Sequence, residues 1–598
     1  METHAEPSMA DTHLHLRVNT VRKLQIGCWI GLVAIAMVRA WFTRYEMTPD
    51  SMSYLDIARA VAEGYPAAAI HAYWSPGYPV ILSFFFWLFR PNAYMEFPLV
   101  HLANFLIFVG ALTSFQLFWK EALQLHKEVA QLGGSEIPER ALWALGYASF
   151  GIASLNVITV GRVGPDLLVS VFCCLAGWCT LRLRRVPDIG RALLLGVVLG
   201  LGYYVKAPFF PLGIVFILCA FQWPLMSLRK ALLLGTSVAA FLLVCAPFIT
   251  TLSLMKGRLT FGDSARLNEA FFIDDVQFFR HWQGGPQGSG MPIHPTRKLS
   301  DYPEIFEFGT SHMGTYPPWF DPTYWNAGIR PHTVLKRQAV VLLRNLALEF
   351  QIIFESGAGL ICAAIILAFL TGYRMWAKAF LHLWYVWGPG AIALTMFALV
   401  RVESRYLGGW LMIIFAGVVF ACSLQASLGT RRAVWCISAA ALVITGAALI
   451  LQGSREAVGI EYSAGRSSRD ASIAIDLFRK GLHPGDRVAL IGDGTSAYWA
   501  HLARLYVVSE IPAASASHRG HPALDFWQSD LEAQQKALTI LQRTGAKAVV
   551  AGWQQSIEGS APSVVPPPWE RIDGTNAYVH FFSTNTTGRR SDNHESIQ

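Results

Sequence analysis

Apolar residues in this chain fall into runs of about 17 to 22 residues, and short polar or charged stretches separate the runs. A helix needs about 20 consecutive apolar residues to cross a bilayer core, so each run has the length of one membrane span. The pattern predicts about eleven transmembrane helices. Their approximate ranges are 24–42, 98–118, 141–158, 166–182, 191–205, 208–224, 231–249, 354–371, 379–399, 407–425 and 433–452.

Composition and charge agree with a membrane protein. Hydrophobic residues make up 53% of the chain and charged residues only 15%, which is more apolar than a soluble enzyme. The formal charge of +8 comes from short basic clusters between apolar runs, so we attribute it to topology and expect no nucleic-acid partner. All nine cysteines lie in apolar runs, so we expect neither a structural disulfide nor a cysteine metal site.

The basic clusters set the orientation of the spans. If residues 1–23 form a cytoplasmic tail, stepping across the spans places every other basic cluster in the cytoplasm as well. These clusters are Lys120 and Lys127; Arg182, Arg184, Arg185 and Arg191; Arg229 and Lys230; Arg374 and Lys378; Arg431 and Arg432. An odd number of spans then places the C-terminus outside. We expect a multi-pass protein of the bacterial inner (plasma) membrane.

Two long loops lie outside the membrane in this topology, at 43–97 and 250–337. In the first, Tyr78 to Phe89 is apolar but too short to span, which is typical of an interfacial or re-entrant helix. Ser51 to Ala62 predicts a second short helix with Asp50 at its N-cap. The second loop is rich in aromatic residues between 314 and 325. Its cluster of Trp319, Tyr324 and Trp325 serves either as a sugar platform or, as we favour, in packing or anchoring at the membrane interface.

The residues after the last span predict a small extracytoplasmic α/β domain over 453–585, followed by a disordered tail at 586–598. Strand and helix signals alternate there. The predicted elements are strand 487–491, helix 495–505, helix 530–543, strand 546–551 and a final strand pair at 569–572 and 577–582. The domain contains no convincing acid, base or phosphate loop, so we expect it to contribute little to chemistry.

Several short motifs at the predicted outer ends of spans carry a family resemblance. Met47 to Ala58, followed by Trp74 to Pro79, resembles the first external loop of GT-C type glycosyltransferases. These polyprenyl-phosphate-sugar-dependent enzymes include protein mannosyltransferases and lipid A aminoarabinose transferases. Gly164 to Leu168, Gly202 to Pro208 and Glu403 to Leu407 fit the same pattern, in the same order and on the same side.

The resemblance implies a fold and a reaction. The fold is an all-α polytopic GT-C-like membrane domain over 24–452, with the small α/β domain behind it. The reaction is the transfer of a sugar, with inversion, from a polyprenyl-phosphate donor to a glycan, lipid or protein acceptor on the extracytoplasmic face. The chain departs from the pattern at one position: many relatives carry two adjacent acids in the first loop, whereas Ser51 follows Asp50 here.

Sugar transfer from a lipid phosphate needs a base and a phosphate clamp, and the motifs offer both. We predict that Asp50 removes the proton from the acceptor hydroxyl. We predict that Lys206 and Arg405, together with Arg162, bind the donor phosphate and stabilise its developing charge. The structural alternatives are that Asp50 only caps a helix and that the cations only extend towards the membrane surface.

Further residues of the same motifs are assigned supporting roles. Asp166 joins Asp50 as a catalytic candidate; it and Glu403 orient the cations or, alternatively, hold a divalent cation together with Asp50. Tyr54 and Tyr406 are predicted to support the site. Arg162 is equally well explained by an ion pair with Asp166. Family members differ in metal use, so we predict no required cofactor and no metal ligand.

Two other function classes stay open on the sequence alone. Charged residues at the ends of spans also line the pathway of a lipid or solute transporter or flippase. A membrane-anchored assembly protein that recruits partners through its C-terminal domain is the second alternative. The acids lie in external loops and no repeat is visible, and both observations favour the transferase.

Overall fold

The structure is a computed structural model that describes residues 9–131, 137–221, 227–274, 276, 297–309, 313–326, 329–332, 334–422, 428–514, 521–552 and 569–582. The chain divides into two compact units. The first comprises Met1–Phe278, Asp321–Thr323 and Ile329–Ser467, and the second comprises Phe279–Phe320, Tyr324–Gly328 and Ser468–Gln598. The domain boundary at 453 stays a prediction. The predicted tail, residues 586–598, lies outside the described part of the chain.

The chain is mainly helical. Its α-helices, in chain order, are α1 Met9–Phe42, α2 Pro49–Ala62, α3 Gly77–Phe89, α4 Ala93–Gln131, α5 Glu139–Gly151, α6 Asp166–Arg185, α7 Ile189–Val205, α8 Phe209–Cys219, α9 Leu228–Lys256, α10 Ser264–Phe272, α11 Pro317–Phe320, α12 Pro322–Trp325, α13 Leu335–Thr371, α14 Tyr373–His382, α15 Trp384–Ala398, α16 Ser404–Phe420, α17 Leu428–Arg479, α18 Tyr498–Leu502, α19 Pro522–Gln528 and α20 Leu531–Arg543. The predicted short helices of the first external loop are present as α2 and α3.

Within the described residues, six helices are long and apolar enough to cross a membrane, which confirms a multi-pass membrane protein. They are Asn19–Phe42, Ala93–Lys127, Asp166–Arg185, Leu228–Lys256, Leu335–Leu370 and Gly429–Ala457. The pair α14 and α15, bent by 79°, adds a seventh if it forms one broken span. The count of eleven is not confirmed, because α7, α8 and α16, at 17, 11 and 17 residues, are shorter than a regular span.

Glycines bring the helices of the first unit close together, as is common where membrane helices pack. A Cβ added to Gly196 of α7 would lie 2.4 Å from the carbonyl oxygen of Ser237 on α9. On α16, a Cβ at Gly408 would lie 2.6 Å from the carbonyl oxygen of Ala153, and one at Gly409 would lie 3.1 Å from Cα of Ser170 on α6. This close packing places the first turn of α16 beside the first turn of α6.

The second unit contains a mixed sheet with seven strands in the described residues. They are β1 Arg297–Asp301, β2 Glu304–Glu307, β3 Arg487–Gly492, β4 Tyr506–Pro512, β5 Ala548–Gly552, β6 Glu570–Arg571 and β7 Ala577–Phe581. The order is β1-β2-β4-β3-β5-β7-β6, with β3 parallel to both β4 and β5. The three central strands are almost fully buried, as expected of parallel strands.

The sheet differs from the predicted domain in three ways. Two of its strands, β1 and β2, come from the long external loop, and β2 pairs with β4. Strand β4 was not predicted. The helix predicted over 495–505 is wrong in extent: a 3-10 turn at Gly494–Ser496 precedes the short α18, because the Asp493 side chain accepts a hydrogen bond from the Thr495 amide at 3.0 Å and ends the strand in a turn.

The aromatic residues of the second loop pack inside this unit. Trp319 and Trp325 are buried, and the Trp325 ring meets that of Phe308 edge to face at 5.4 Å. Packing, the reading we favour from the sequence, therefore accounts for these two side chains.

Candidate active site

Helix α2 begins at Pro49, whose fixed φ suits the first helical position. Thr48 is its N-cap, since the Thr48 hydroxyl accepts a hydrogen bond from the Ser51 amide at 3.2 Å. The expected N-cap role of Asp50 is therefore wrong: Asp50 lies in the first turn. The Ser51 hydroxyl also donates to the carbonyl oxygen of Val163 at 2.8 Å, which fixes this end of α2 against the segment that leads into α6.

Arg405, in the first turn of α16, connects three acids. Its guanidinium donates from Nη2 to Asp50 Oδ2 at 2.6 Å and from Nε to Glu403 Oε2 at 2.8 Å. Its Nη1 lies 3.7 Å from Asp166 Oδ2, which is beyond hydrogen-bond distance. The Arg405 side chain is buried, so these pairs are sheltered from solvent screening. The N–H donors on Nη1 of Arg405 are thus available to a ligand.

Lys206 directly follows α7 and pairs with one of these acids. Its ammonium donates to Asp166 Oδ1 at 2.5 Å and lies 4.0 Å from the centre of the Tyr406 ring, a cation–π distance. Burial lowers the pKa of Lys206, and the carboxylate of Asp166 opposes that effect. The ammonium is accordingly held by one carboxylate and one aromatic face.

Glu403, directly before α16, pairs with three cations. Its carboxylate lies 2.7 Å from Arg401 Nη2 and 3.6 Å from Arg162 Nη2, in addition to Arg405. Burial on its own would raise the pKa of Glu403, but the guanidinium groups of Arg405, Arg401 and Arg162 outweigh it and lower the pKa. The alternative ion pair of Arg162 with Asp166 is wrong, because Glu403 is the partner of Arg162.

These seven side chains form one connected set, which we call the charge network. Its members are the acids Asp50, Asp166 and Glu403 and the cations Arg162, Lys206, Arg401 and Arg405. Arg405 and Asp166 are buried, and breaking a buried ion pair is costly because it leaves an uncompensated charge, so these two members are held by their neighbours.

Tyr54 lies on the face of α2 that carries Asp50. Its ring meets Trp74 at 5.0 Å and Tyr78 at 5.4 Å, both edge to face. Burial, followed by the charges of Asp50 and Asp166, raises the pKa of Tyr54 well above its ordinary value, so the hydroxyl keeps its proton. Tyr54 therefore offers the site a neutral hydrogen-bond donor.

One cavity of about 210 Å³ brings most of the predicted residues together. Those that line it are Asp50, Tyr54, Asp166, Lys206, Arg405 and Tyr406. Glu403 and Arg162 belong to the charge network but are not among the lining residues. The set thus combines carboxylates and cations in one cavity, which suits proton abstraction beside a bound phosphate.

Four polar residues line the cavity that the sequence did not single out: Tyr73, Ser264, Asn268 and Arg401. Tyr73 directly precedes the quoted Trp74 motif, and Arg401 lies two residues before Glu403, so both could have been included by extending those motifs. Ser264 and Asn268 lie on α10, inside the long external loop, where no motif marked them.

Metal ligation is the alternative role of the acids. Within the described residues, no group of three or more His, Cys, Asp or Glu side chains is arranged to hold a metal ion. Asp50 and Asp166 each contact a cationic side chain at 2.6 Å or less, so guanidinium and ammonium groups occupy the positions next to the carboxylates. Both carboxylates are thus already paired with cationic side chains.

Comparisons with known proteins bear on the fold. The sequence matches no family model and no curated protein. Among solved structures, it is similar to ArnT from Cupriavidus metallidurans in the apo state, with a TM-score of 0.51 and 13% identity over 93% of this chain and 97% of that chain. The same ArnT bound to undecaprenyl phosphate matches with a TM-score of 0.51 and 13% identity, over 94% of this chain and 98% of that one.

The match extends over almost the full length of both chains. At 13% identity it shows the fold and not the substrate. Structure and motifs agree independently, since the motifs lie at the ends of α2, α6, α7 and α16, where the cavity is found. The chain therefore shares its overall fold with ArnT.

Proposed function

We propose that this chain is an inverting glycosyltransferase, which moves a sugar from a polyprenyl-phosphate donor to an acceptor on the extracytoplasmic face of the membrane. The observation that carries the proposal is the convergence of Asp50, Asp166, Lys206 and Arg405 on one cavity. Support comes from the ArnT fold and from the undecaprenyl phosphate bound to that ArnT. We further propose a location in the bacterial inner membrane, with the C-terminus outside.

In the proposed reaction, the acceptor hydroxyl oxygen attacks the anomeric carbon while the bond from that carbon to the phosphate oxygen breaks. Asp50 accepts the hydroxyl proton, which makes the oxygen a better nucleophile as the new glycosidic bond forms. The electron pair of the broken bond stays on the phosphate. Polyprenyl phosphate, which then carries one more negative charge than it did as a diester, leaves.

The cations stabilise the charge that develops on the departing phosphate. Lys206 and Arg405 line the cavity, and Arg405 Nη1 is not committed to a hydrogen bond with Asp166. Preorganised donors of this kind stabilise a transition state because no reorganisation is needed when the charge appears. Asp166 holds Lys206 in place and is in this scheme a positioning residue, with Glu403 doing the same for Arg405.

The test is direct binding of a lipid phosphate to the full-length protein in nanodiscs. Undecaprenyl phosphate should bind and undecaprenol, which lacks the phosphate, should bind far more weakly. Arg405→Ala should reduce phosphate-lipid affinity by about 10- to 100-fold, the range for losing a hydrogen bond to a charged group. Arg44→Ala is the matched control, because Arg44 contacts Trp41 and Tyr45 and does not line the cavity.

Turnover is measured with a radiolabelled polyprenyl-phosphate sugar, following the appearance of free polyprenyl phosphate. Equal affinity of the wild type and Arg405→Ala for the phosphate lipid would exclude the proposed clamp. Transport of the intact labelled lipid across a vesicle membrane, with no cleavage, would favour the flippase instead.

A further inference from the structure

One wall of the cavity carries only neutral polar groups. It is formed by Tyr73 and Ser75, which precede α3, and by Ser264 and Asn268 on α10. The Tyr73 hydroxyl donates to Asn268 Oδ1 at 3.1 Å, which leaves the amide nitrogen of Asn268 pointing away from that bond. In the described part of the chain, that nitrogen and the hydroxyls of Ser75 and Ser264 have no hydrogen-bond partner.

This neutral wall is held firmly. The Asp263 amide, at the start of α10, donates to the carbonyl oxygen of Ala72 at 2.7 Å, which joins the two segments of the wall. The Asp263 carboxylate is itself buried and pairs with Arg258 and Arg266. Preorganised donors and acceptors of this kind fix the orientation of a polar ligand.

The ionised groups of the cavity lie on other elements and are already paired. Asp50 and Asp166 are the two carboxylates among the lining residues, and each contacts a cation. Three cations, Lys206, Arg401 and Arg405, line the same cavity. A positive charge on the sugar would therefore meet an excess of positive charge and no free carboxylate. An unpaired buried charge of this kind is strongly unfavourable.

From these observations we infer that the transferred sugar is neutral, a hydroxyl-bearing hexose or pentose and not an amino sugar. The neutral wall binds its hydroxyls, and the aromatic side chains of Tyr73 and Trp74 bound the same space. The inference rests on the proposed function, and it chooses between the neutral and the cationic sugars that glycosyltransferases of this type transfer.

The experiment compares three lipids on the full-length protein in nanodiscs: undecaprenyl phosphate, the same lipid carrying mannose, and the same lipid carrying 2-amino-2-deoxyglucose. The mannose donor should be turned over with a kcat/KM at least about a hundredfold above that of the amino-sugar donor. Asn268→Ala should lower the affinity for the mannose lipid about tenfold and leave that for bare undecaprenyl phosphate unchanged, because only the sugar contacts the wall.

A variant that gains activity avoids the ambiguity of Asn268→Ala, which only loses affinity. Asn268→Asp is nearly isosteric and adds a carboxylate to the neutral wall, so it should raise kcat/KM for the amino-sugar donor relative to that for mannose. Equal turnover of both donors by the wild type, or equal loss of both bare and mannosylated lipid in Asn268→Ala, would overturn the inference while leaving the proposed function intact. Failure of the wild type to bind bare undecaprenyl phosphate would overturn the proposed function, and this inference with it.

Discussion

Replacing Asp50 by Asn separates chemistry from structure at the proposed base. Asn has the same shape, and its amide oxygen can still accept the hydrogen bond that Arg405 donates to Asp50 at 2.6 Å. Because Thr48 caps α2, the substitution leaves the helix cap untouched. Arg405 also keeps Glu403 and Asp166 as neighbours, so the guanidinium stays where it is.

The structural cost of this substitution is small beside the cost of losing a base. Turning a hydrogen bond between charged groups, worth about 1.5–3 kcal/mol, into one with a neutral acceptor, worth about 0.5–1.5 kcal/mol, costs about 1 kcal/mol. That is about a fivefold effect on an equilibrium. Losing a general base costs about 10²- to 10⁴-fold in rate. If Asp50 is the base, the effect on kcat must therefore far exceed any structural effect.

The assay is turnover of a labelled polyprenyl-phosphate sugar by purified protein, with thermal unfolding measured in parallel. For Asp50→Asn we expect kcat to fall at least about a hundredfold. The KM for the donor should not rise, because one negative charge is removed from beside the phosphate. Asp56→Asn is the control on the same helix: Asp56 is buried and pairs with Arg59 at 3.0 Å, but it does not line the cavity.

The control should retain kcat within about fivefold, whatever its stability. More than about a tenth of wild-type kcat in Asp50→Asn would show that Asp50 serves only the ion pair, since a missing base costs more than that. Asp166 would then be the acid to test next.

Three further predictions concern packing, topology and metals. Gly408→Ala should destabilise the protein and reduce its yield after solubilisation, because the new Cβ would lie 2.6 Å from a backbone oxygen; Gly446→Ala, which meets no atom within 4 Å, should be neutral or stabilising on thermal unfolding. In a variant without native cysteines, an impermeant thiol reagent on intact cells should label Asp530→Cys and not Arg185→Cys, and the reverse would refute the proposed orientation. Transfer should persist in EDTA, because side-chain cations already neutralise the cavity acids; loss of activity that Mg²⁺ or Mn²⁺ restores would refute this.

The six long apolar helices could be predicted because a bilayer core requires a minimum span length, whereas the shorter α7, α8 and α16 did not confirm the predicted count of eleven spans. Chain segments without that constraint were harder. Strands β1 and β2 have five and four residues and mixed polarity, and β2 finds its partner, β4, about 200 residues later in the chain, so no local pattern marks them. The pairing also affects experiment, since truncation at Gly453 would remove β4 and leave β2 without it.

In the site, too, the sequence indicates local features but not contacts between residues that are far apart in the chain. The motifs marked Asp50 and Arg405, which lie 355 residues apart, but only the fold shows that they share a hydrogen bond. The true N-cap was within reach of the sequence, because Pro49 prefers the first helical position and makes Thr48 the preceding cap. Asn268 was not, because a short amphipathic helix does not reveal which of its polar residues faces a cavity.

The composition of the charge network matches the charges of the proposed reaction at each stage. Its four cations and three acids leave one positive charge in excess. A donor phosphodiester carries one negative charge, so the complex with donor is neutral. After transfer, Asp50 holds a proton and the network has two charges in excess, while the phosphate monoester that remains carries close to two negative charges at neutral pH. An uncompensated charge in a buried site is unfavourable. A network whose charge balances that of the bound lipid before and after transfer therefore stabilises both the donor complex and the product complex. The lowered pKa of Glu403 keeps that acid ionised throughout, and Asp166 is paired with Lys206, so Asp50, which lines the cavity beside Tyr54, is the acid we propose takes up the proton.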